Sequence, residues 1–227
     1  MNKSELQKKM FEEFIEGRFR IDLGIRLGFS SIFDFYESAI VNLQGPVGMK
    51  LRQWYWKSKF RQMGKNVLLD VGLIITGAEK ISIGEYTWVD SYCRLDSIVG
   101  SIAIGKRVHI AQGCILGGGG GLVIEDYVGV SAGAKIYSHS EAPGEGKRMS
   151  GPMIPERYKF INTGPVTVRK DAFVGANAVV LPGITVGEGA VIGANAVVTK
   201  NVPDYAIAVG IPAKVIGNRA KVSQPDL

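Results

Sequence analysis

The sequence predicts a mainly β fold: a three-sided solenoid of short parallel strands, about six turns long, preceded by a helical segment. Three observations predict it. Aliphatic residues recur every six positions, most clearly at Val168, Val174, Val180, Val186, Ile192 and Val198. A small or aliphatic residue stands four places after each, at Ala172, Ala178, Ile184, Ala190, Ala196 and Val202. Glycine is enriched, with 30 of 227 residues, against an ordinary share of ~7 per cent. Period six fits neither a 3.6-residue helix nor a hairpin meander, and a fixed short period marks a repeat architecture.

The chain divides near residue 65. Residues 1–64 carry helical punctuation. Ser4-Glu5-Leu6-Gln7 forms a capping box, in which Ser4 and Gln7 satisfy unpaired backbone donors. Leu6, Met10, Phe11, Phe14 and Ile15 then share one face, and Gly17 is the expected stop. A second helix is expected from Ser31 to Leu43, ahead of Gly45-Pro46, and a third over about 47–63, closed by Gly64. These helices are too short to stand alone and must pack on the solenoid.

The hexapeptide frame occupies 65–218, with a tail at 219–227. Leu69 and Ile75 open it, and Ile83, Val89, Leu95, then Ile104, Ile110, Leu116, then Ile124, Val130, Ile136 continue it. Small slips come at every third hexapeptide. Three faces of six residues therefore make one turn of 18, and extra residues loop out at one corner. Each turn buries three aliphatic side chains, each contributing roughly 1.5–3 kcal/mol. Asn177 and Asn195 join the glycines as residues suited to corner conformations that β-branched residues reach only at a cost.

Composition narrows the class. No run of 18 apolar residues exists and no uninterrupted apolar stretch comes after the first lysines, so a cytoplasmic protein is expected. Two cysteines give neither a disulfide framework nor a zinc site. The net charge of +6 lies mostly in residues 1–65, and 46–65 hold Lys50, Arg52, Lys57, Lys59, Arg61 and Lys65 without an acid, beside Trp54, Tyr55 and Trp56. Two readings stay open for this stretch: a helix with its lysines in water, or a peripheral membrane contact. No nucleic-acid-binding motif accompanies it.

The frame, with its ending LPGITVGEGAVIGANAVVTKNVPDYAIAVGIPAKVIG, resembles the hexapeptide-repeat acyltransferases, within them most nearly the sugar and surface-polysaccharide O-acetyltransferases. The resemblance implies a left-handed parallel β-helix, a homotrimer, and acetyl-CoA as acyl donor without a metal. It implies an acetyl transfer to a hydroxyl of a small-molecule or lipid-linked sugar. An N-acetyltransferase acting on a nucleotide-linked amino sugar and a xenobiotic acetyltransferase are the rivals, with a non-catalytic scaffold as the rival of another class. A γ-class carbonic anhydrase shares the fold but needs three histidines, and the chain has two.

Those two are His109 and His139. After Ile136 the next inward residue is Val168, 32 positions on where a step is six, so a long loop spans 139–165. Long loops on regular scaffolds usually carry function. In the sugar acetyltransferases a histidine directly before such a loop is the catalytic base, and His139 holds that place. A neutral imidazole is fit to take a proton at neutral pH. The acid that would orient it is not identified; Glu141, Glu145 and Glu156 are the nearby carboxylates. His109 precedes inward Ile110, so its side chain points outward, and the resemblance gives His109 and Gln112 to the acceptor. The run Gly117–Gly121 lacks the Gly-Lys-Ser/Thr of a phosphate loop and is expected to leave space beside His139. For the donor, the resemblance implies Ala176 and Ala194 through their backbone, then Thr199, Lys200 and Lys214. A further family arginine is replaced by Gly217, with Arg219 close by.

Overall fold

The computed structural model describes residues 35–144, 146–149 and 156–224. The capping box and the first expected helix lie outside the described residues. Helix α1 covers residues 35–42 of the expected second helix. Helix α2, Gly45–Lys57, takes Pro46 into its first turn, where the missing N–H has no intrahelical partner to lose. It ends six residues before the expected Met63, because Gln62–Met63 are used as a strand, parallel to Ser82–Ile83. The solenoid therefore begins at Gln62.

Each turn contributes one strand to each of three parallel sheets. Face A stacks Gln62–Met63, Ile81–Ile83, Ile102–Ile104, Leu122–Ile124, Val166–Val168 and Thr185–Val186. Face B stacks Leu68–Leu69, Trp88–Val89, His109–Ile110, Gly129–Val130, Phe173–Val174 and Val191–Ile192. Face C stacks Ile74–Thr76, Arg94–Asp96, Ile115–Gly117, Lys135–Tyr137, Val179–Val180 and Val197–Val198. Val202 bridges to Val186 and Ala206–Val209 pairs with Val191–Ile192, so a seventh turn begins above six complete ones. Lys214–Asn218 then folds back antiparallel on Ala206–Val209.

In-register pairing puts like on like. Phe173 faces Val191 and Val179 faces Val197, both 18 residues apart, as the frame requires. The inward column of face B, from Leu69 through Val89, Ile110, Val130 and Val174 to Ile192, is fully buried. The extra residues leave at one corner, between faces C and A: the short helical turn Ala78–Lys80, then 97–101, 118–121 and 138–165. Every slip in the sequence frame is thus one storey of the same corner.

The other corners need left-handed backbone. Asn177 (φ 55°) and Asn195 (φ 58°) supply it as expected. Tyr86, Tyr92, Tyr127 and Tyr205, with φ of 57–60°, do so as well, which their residue type does not announce. Neighbours offset that strain. The Arg107 guanidinium lies 4.7 Å from the Tyr86 ring centre, and cation–π contacts at exposed sites contribute ~0.5–1 kcal/mol. The rings of Tyr92 and Tyr205 lie where a Cβ on Gly72 or Gly189 would stand.

The helices close the first turn. Arg52, only 1 % exposed, donates from Nε to the Leu69 carbonyl at 2.9 Å and from Nη1 to carbonyls of Ile40 and Leu43. Its Nη2 stands 3.8 Å from Asp70. Burial pulls this guanidinium's pKa down and Asp70 opposes that. Gln53 adds a bond to the Val67 carbonyl at 3.0 Å.

Candidate active site

The fourth storey of the loop corner holds His139, the residue expected to act as base. Lys135–Tyr137 ends face C, Ser138 turns outward, and His139–Glu141 forms a short antiparallel pair with Ile161–Thr163. Ser138 is fully buried and fixes the turn. Its hydroxyl donates to the Gly117 carbonyl at 2.7 Å and accepts from the Gly120 amide at 2.9 Å. Its backbone donates to the same Gly117 carbonyl and accepts from Gly164. One storey pair below, Ser97 repeats the device, donating to the Gly77 carbonyl at 2.6 Å. Glycine and serine therefore alternate up this corner as Gly77, Ser97, Gly118 and Ser138, each serine tied to the storey beneath.

Hexapeptide spacing marks the place of Ser138 but not its role. The signal that finds it is a small polar residue at the exit of face C in alternate turns.

At Gly118, Gly119 and Gly120 the run does not leave the open space expected beside His139. A Cβ on Gly119 would lie 2.4 Å from His139 Nδ1, one on Gly120 2.2 Å from the Ser138 carbonyl oxygen, and one on Gly118 2.5 Å from Ile102. At Gly119 and Gly120 the bare backbone is filled from the next turn and at Gly118 from the turn below, while a Cβ on Gly121 would meet nothing within 4 Å. His139 Nδ1 is buried with no hydrogen-bond partner among the described residues.

Carboxylates distribute unevenly. Glu141 lies 4.0 Å from Lys159 across the loop hairpin. Glu145 and the Glu156 side chain lie outside the described residues. Among the described residues no carboxylate is bound to His139, whereas His109 has one: its Nε2 is 3.1 Å from Asp90. The Trp88 ring stands 5.5 Å from the His109 ring, and both are exposed.

His109 points outward as expected, but on face B, the side of the prism opposite the C–A corner that holds His139. Gln112 is exposed at the corner between faces B and C, its carbonyl accepting from Gly133. A single chain therefore does not bring His109 or Gln112 to His139.

The five donor candidates do share a region. Ala176 and Ala194 turn the B–C corner one above the other, with the Asn195 amide bonded to the Ala176 carbonyl at 2.8 Å. Thr199 and Lys200 lie exposed where the last face C strand leaves for the C–A corner. Ala213 donates to the Val197 carbonyl, which sets exposed Lys214 beside the same strand. All five border face C in its last two turns, on the side of the molecule that His139 also edges. Neither lysine is held in an ion pair among the described residues. Two uncommitted cations beside a shallow strip suit an anionic ligand. No group of three or more His, Cys, Asp or Glu is placed to hold a metal ion among the described residues.

Comparison with known proteins places this architecture. A family model described as the hexapeptide repeat of succinyl-transferase matches residues 165–200. A dTDP-4-amino-4,6-dideoxy-D-glucose acyltransferase of Escherichia coli is 36 % identical over 162 residues, which is 71 % of this chain and 84 % of that protein. The chain is a hexapeptide-repeat acyltransferase. Its solenoid is the left-handed parallel β-helix of that family. The N-acyltransferase AntD of Bacillus cereus, solved with dTDP and 3-hydroxybutyryl-CoA, superimposes with a TM-score of 0.68 at 32 % identity, covering 74 % of this chain and 88 % of AntD. A hexapeptide-repeat acetyltransferase of Vibrio cholerae, solved with acetyl coenzyme A, shares the fold at 18 % identity and a TM-score of 0.56, over 81 % of this chain and 82 % of its own.

Proposed function

We propose that this hexapeptide-repeat acyltransferase moves an acyl group from a coenzyme A thioester to the amino group of a nucleotide-linked amino sugar. The carrying observation is that the Escherichia coli and Bacillus cereus relatives, matched over 84 % and 88 % of their lengths, are an acyltransferase named for a dTDP-amino sugar and an N-acyltransferase bound to dTDP. This makes the amine, the rival in the sequence reading, the first choice over the hydroxyl.

His139 is the base in this reading. An attacking amine must lose a proton as it becomes an amide, and a neutral imidazole seated at the loop corner accepts it. Lys200 and Lys214 hold phosphates of the donor, Thr199 and the Ala176 and Ala194 backbones line its path, and His109 with Gln112 meet the acceptor. His109 and Gln112 lie away from His139 within one chain, so the acceptor assignment goes with assembly as a homotrimer. In a trimer one protomer's face B completes a site at its neighbour's corner. Sedimentation should return three times 24.5 kDa.

O-acetylation is the second reading, favoured by one feature: the histidine directly before the inserted loop, which the sugar O-acetyltransferases share. The product decides. Acetyl-CoA is offered with dTDP-4-amino-4,6-dideoxyglucose and, separately, with hydroxyl sugars and hydroxylated antibiotics, and released thiol is monitored. The expected product is an amide, stable to hydroxylamine. An ester from a hydroxyl acceptor, with the amino sugar inert, overturns the amine reading.

A further inference from the structure

The outer side of helix α2 joins exposed apolar side chains to a set of cations. Gly48, Arg52 and Trp56 turn inward onto the first turn of the solenoid. The opposite side carries Val47, Leu51 and Trp54, spaced four and three apart on one stripe. Val47 and Trp54 are each 68 % exposed, far above what a packed helix leaves open. Phe35, Tyr36 and Leu43, on α1 and the turn after it, are exposed as well.

Cations frame the stripe. Lys50, Lys57, Lys59, Arg61 and Lys65 are all exposed, and no acidic residue occurs between 46 and 65. Lys50 bonds to Gln53 and Lys59 sits over the Tyr55 ring, so none of the five is neutralised by a carboxylate among the described residues. The one buried cation, Arg52, is occupied by carbonyls and by Asp70, which explains it structurally and leaves the other five unexplained.

We infer that this end of the solenoid docks on an anionic phospholipid surface, with Trp54, Leu51 and Val47 entering the headgroup boundary and the flanking lysines meeting lipid phosphates. Apolar residues with a tryptophan on one side and lysines around them are what an interfacial helix needs. Charge complementarity selects the lipid: a second copy of this end would bring the same five cations against themselves. A stripe of three anchors binds weakly by itself, and each cation near an anionic surface strengthens binding about fivefold. The fourth storey, where His139 sits, would stand roughly 14 Å from the docked end, three strand spacings along the axis.

The full chain is mixed with vesicles of phosphatidylglycerol and phosphatidylcholine, and with phosphatidylcholine alone, and spun down. Binding is expected to the anionic vesicles, at least about tenfold weaker to the neutral ones, and lost as salt rises. Trp54→Ser with Val47→Ser should cut binding about tenfold, and Lys50→Gln, Lys57→Gln, Lys59→Gln together by more, with thermal unfolding unchanged because these side chains are exposed. In the wild type, brominated lipid should quench tryptophan emission, and Trp54→Phe should remove most of that quenching. Equal binding to neutral vesicles, no binding to either, or undiminished binding by the variants overturns the inference. So does a Trp54→Ser, Val47→Ser variant whose mass in solution falls below that of the wild type, which would make the stripe a contact between copies. Acylation measured without vesicles is independent of all these outcomes, so failure here leaves the proposed reaction standing.

Discussion

The imidazole of His139 rests on the backbone of Gly119, so close that an added Cβ would lie 2.4 Å from Nδ1 and 2.6 Å from Cγ. The seat exists because residue 119 has no side chain, and Ser138 holds the turn that drops the ring into it. Gly119→Ala must therefore push the imidazole outward. The ring can move without unfolding the corner, since the clash is with a side chain and not with the backbone. Expected are a kcat lowered by about ten- to a hundredfold, the usual consequence of misplacing a reacting group by about 1 Å, and a Tm within a few degrees of the wild type. Wild-type kcat in this variant would mean that the ring's position does not matter to the reaction.

The two histidines can be separated by the same measurement. His139→Ala should lower kcat by roughly 10²–10⁴, the contribution of a general base, and leave thioester binding in place. His109→Ala should keep kcat within about tenfold while raising the acceptor KM. Asp90 gives this test its edge: an orienting carboxylate is the usual companion of a catalytic imidazole, and the structure supplies one to His109 at 3.1 Å. An inactive His109→Ala and Asp90→Asn beside an active His139→Ala would move the base to face B.

Much of this fold is legible in the residues, for reasons that can be named. A six-residue period survives in sequence because every turn must send Val, Ile or Leu inward at the same three places, and the slips survive because insertions are tolerated at a single corner. The corner tyrosines are not legible. Tyr86 and Tyr205 take left-handed backbone because rings and cations of adjacent turns support them, and such support is a property of neighbours 16 to 21 residues away. The end of α2 departs from expectation by the same logic: helical propensity runs on past Lys57, but the edge of Ile81–Ile83 offers Gln62–Met63 a parallel partner. A glycine run reads as vacancy in sequence, while at Gly118, Gly119 and Gly120 side chains and backbone of the adjacent turns fill it. Periodicity reports what faces inward; it is silent about what one turn lays on the next.

Arg52 tests how the helices are attached. It links α1, α2 and the first turn through four carbonyls, of Ile40, Val41, Leu43 and Leu69, and through Asp70. Arg52→Met keeps the apolar stem and leaves those carbonyls without their donor, a loss of about 3 kcal/mol if two of them stay dry. That corresponds to a Tm lower by roughly 6–12 °C in a chain of this size. Arg52→Lys should recover only part of it, because an ammonium cannot present the planar fork that reaches Leu69 and Leu43 together. Acylation per folded molecule should not change, since the site lies several turns away. A Tm unaffected by Arg52→Met would show that α2 is held by Trp56 and Phe60 packing alone.

Lys200 and Lys214 test the donor strip. Both are exposed, both border the last strand of face C, and neither has a carboxylate partner among the described residues. Removing them should therefore cost the protein nothing in stability and cost the complex two charge-assisted contacts. Each such contact contributes ~1.5–3 kcal/mol when shielded and less in water, so exposed lysines point below that range. The expected result for Lys200→Ala or Lys214→Ala is an acyl-CoA KM raised about three- to tenfold with kcat nearly unchanged. The double variant should multiply the two effects, because the residues reach the strip from different strands and share no partner. High salt should mimic the substitutions in the wild type and have little further effect in the double variant. A double variant with wild-type KM at both salt concentrations would place the anionic end of the donor somewhere other than face C.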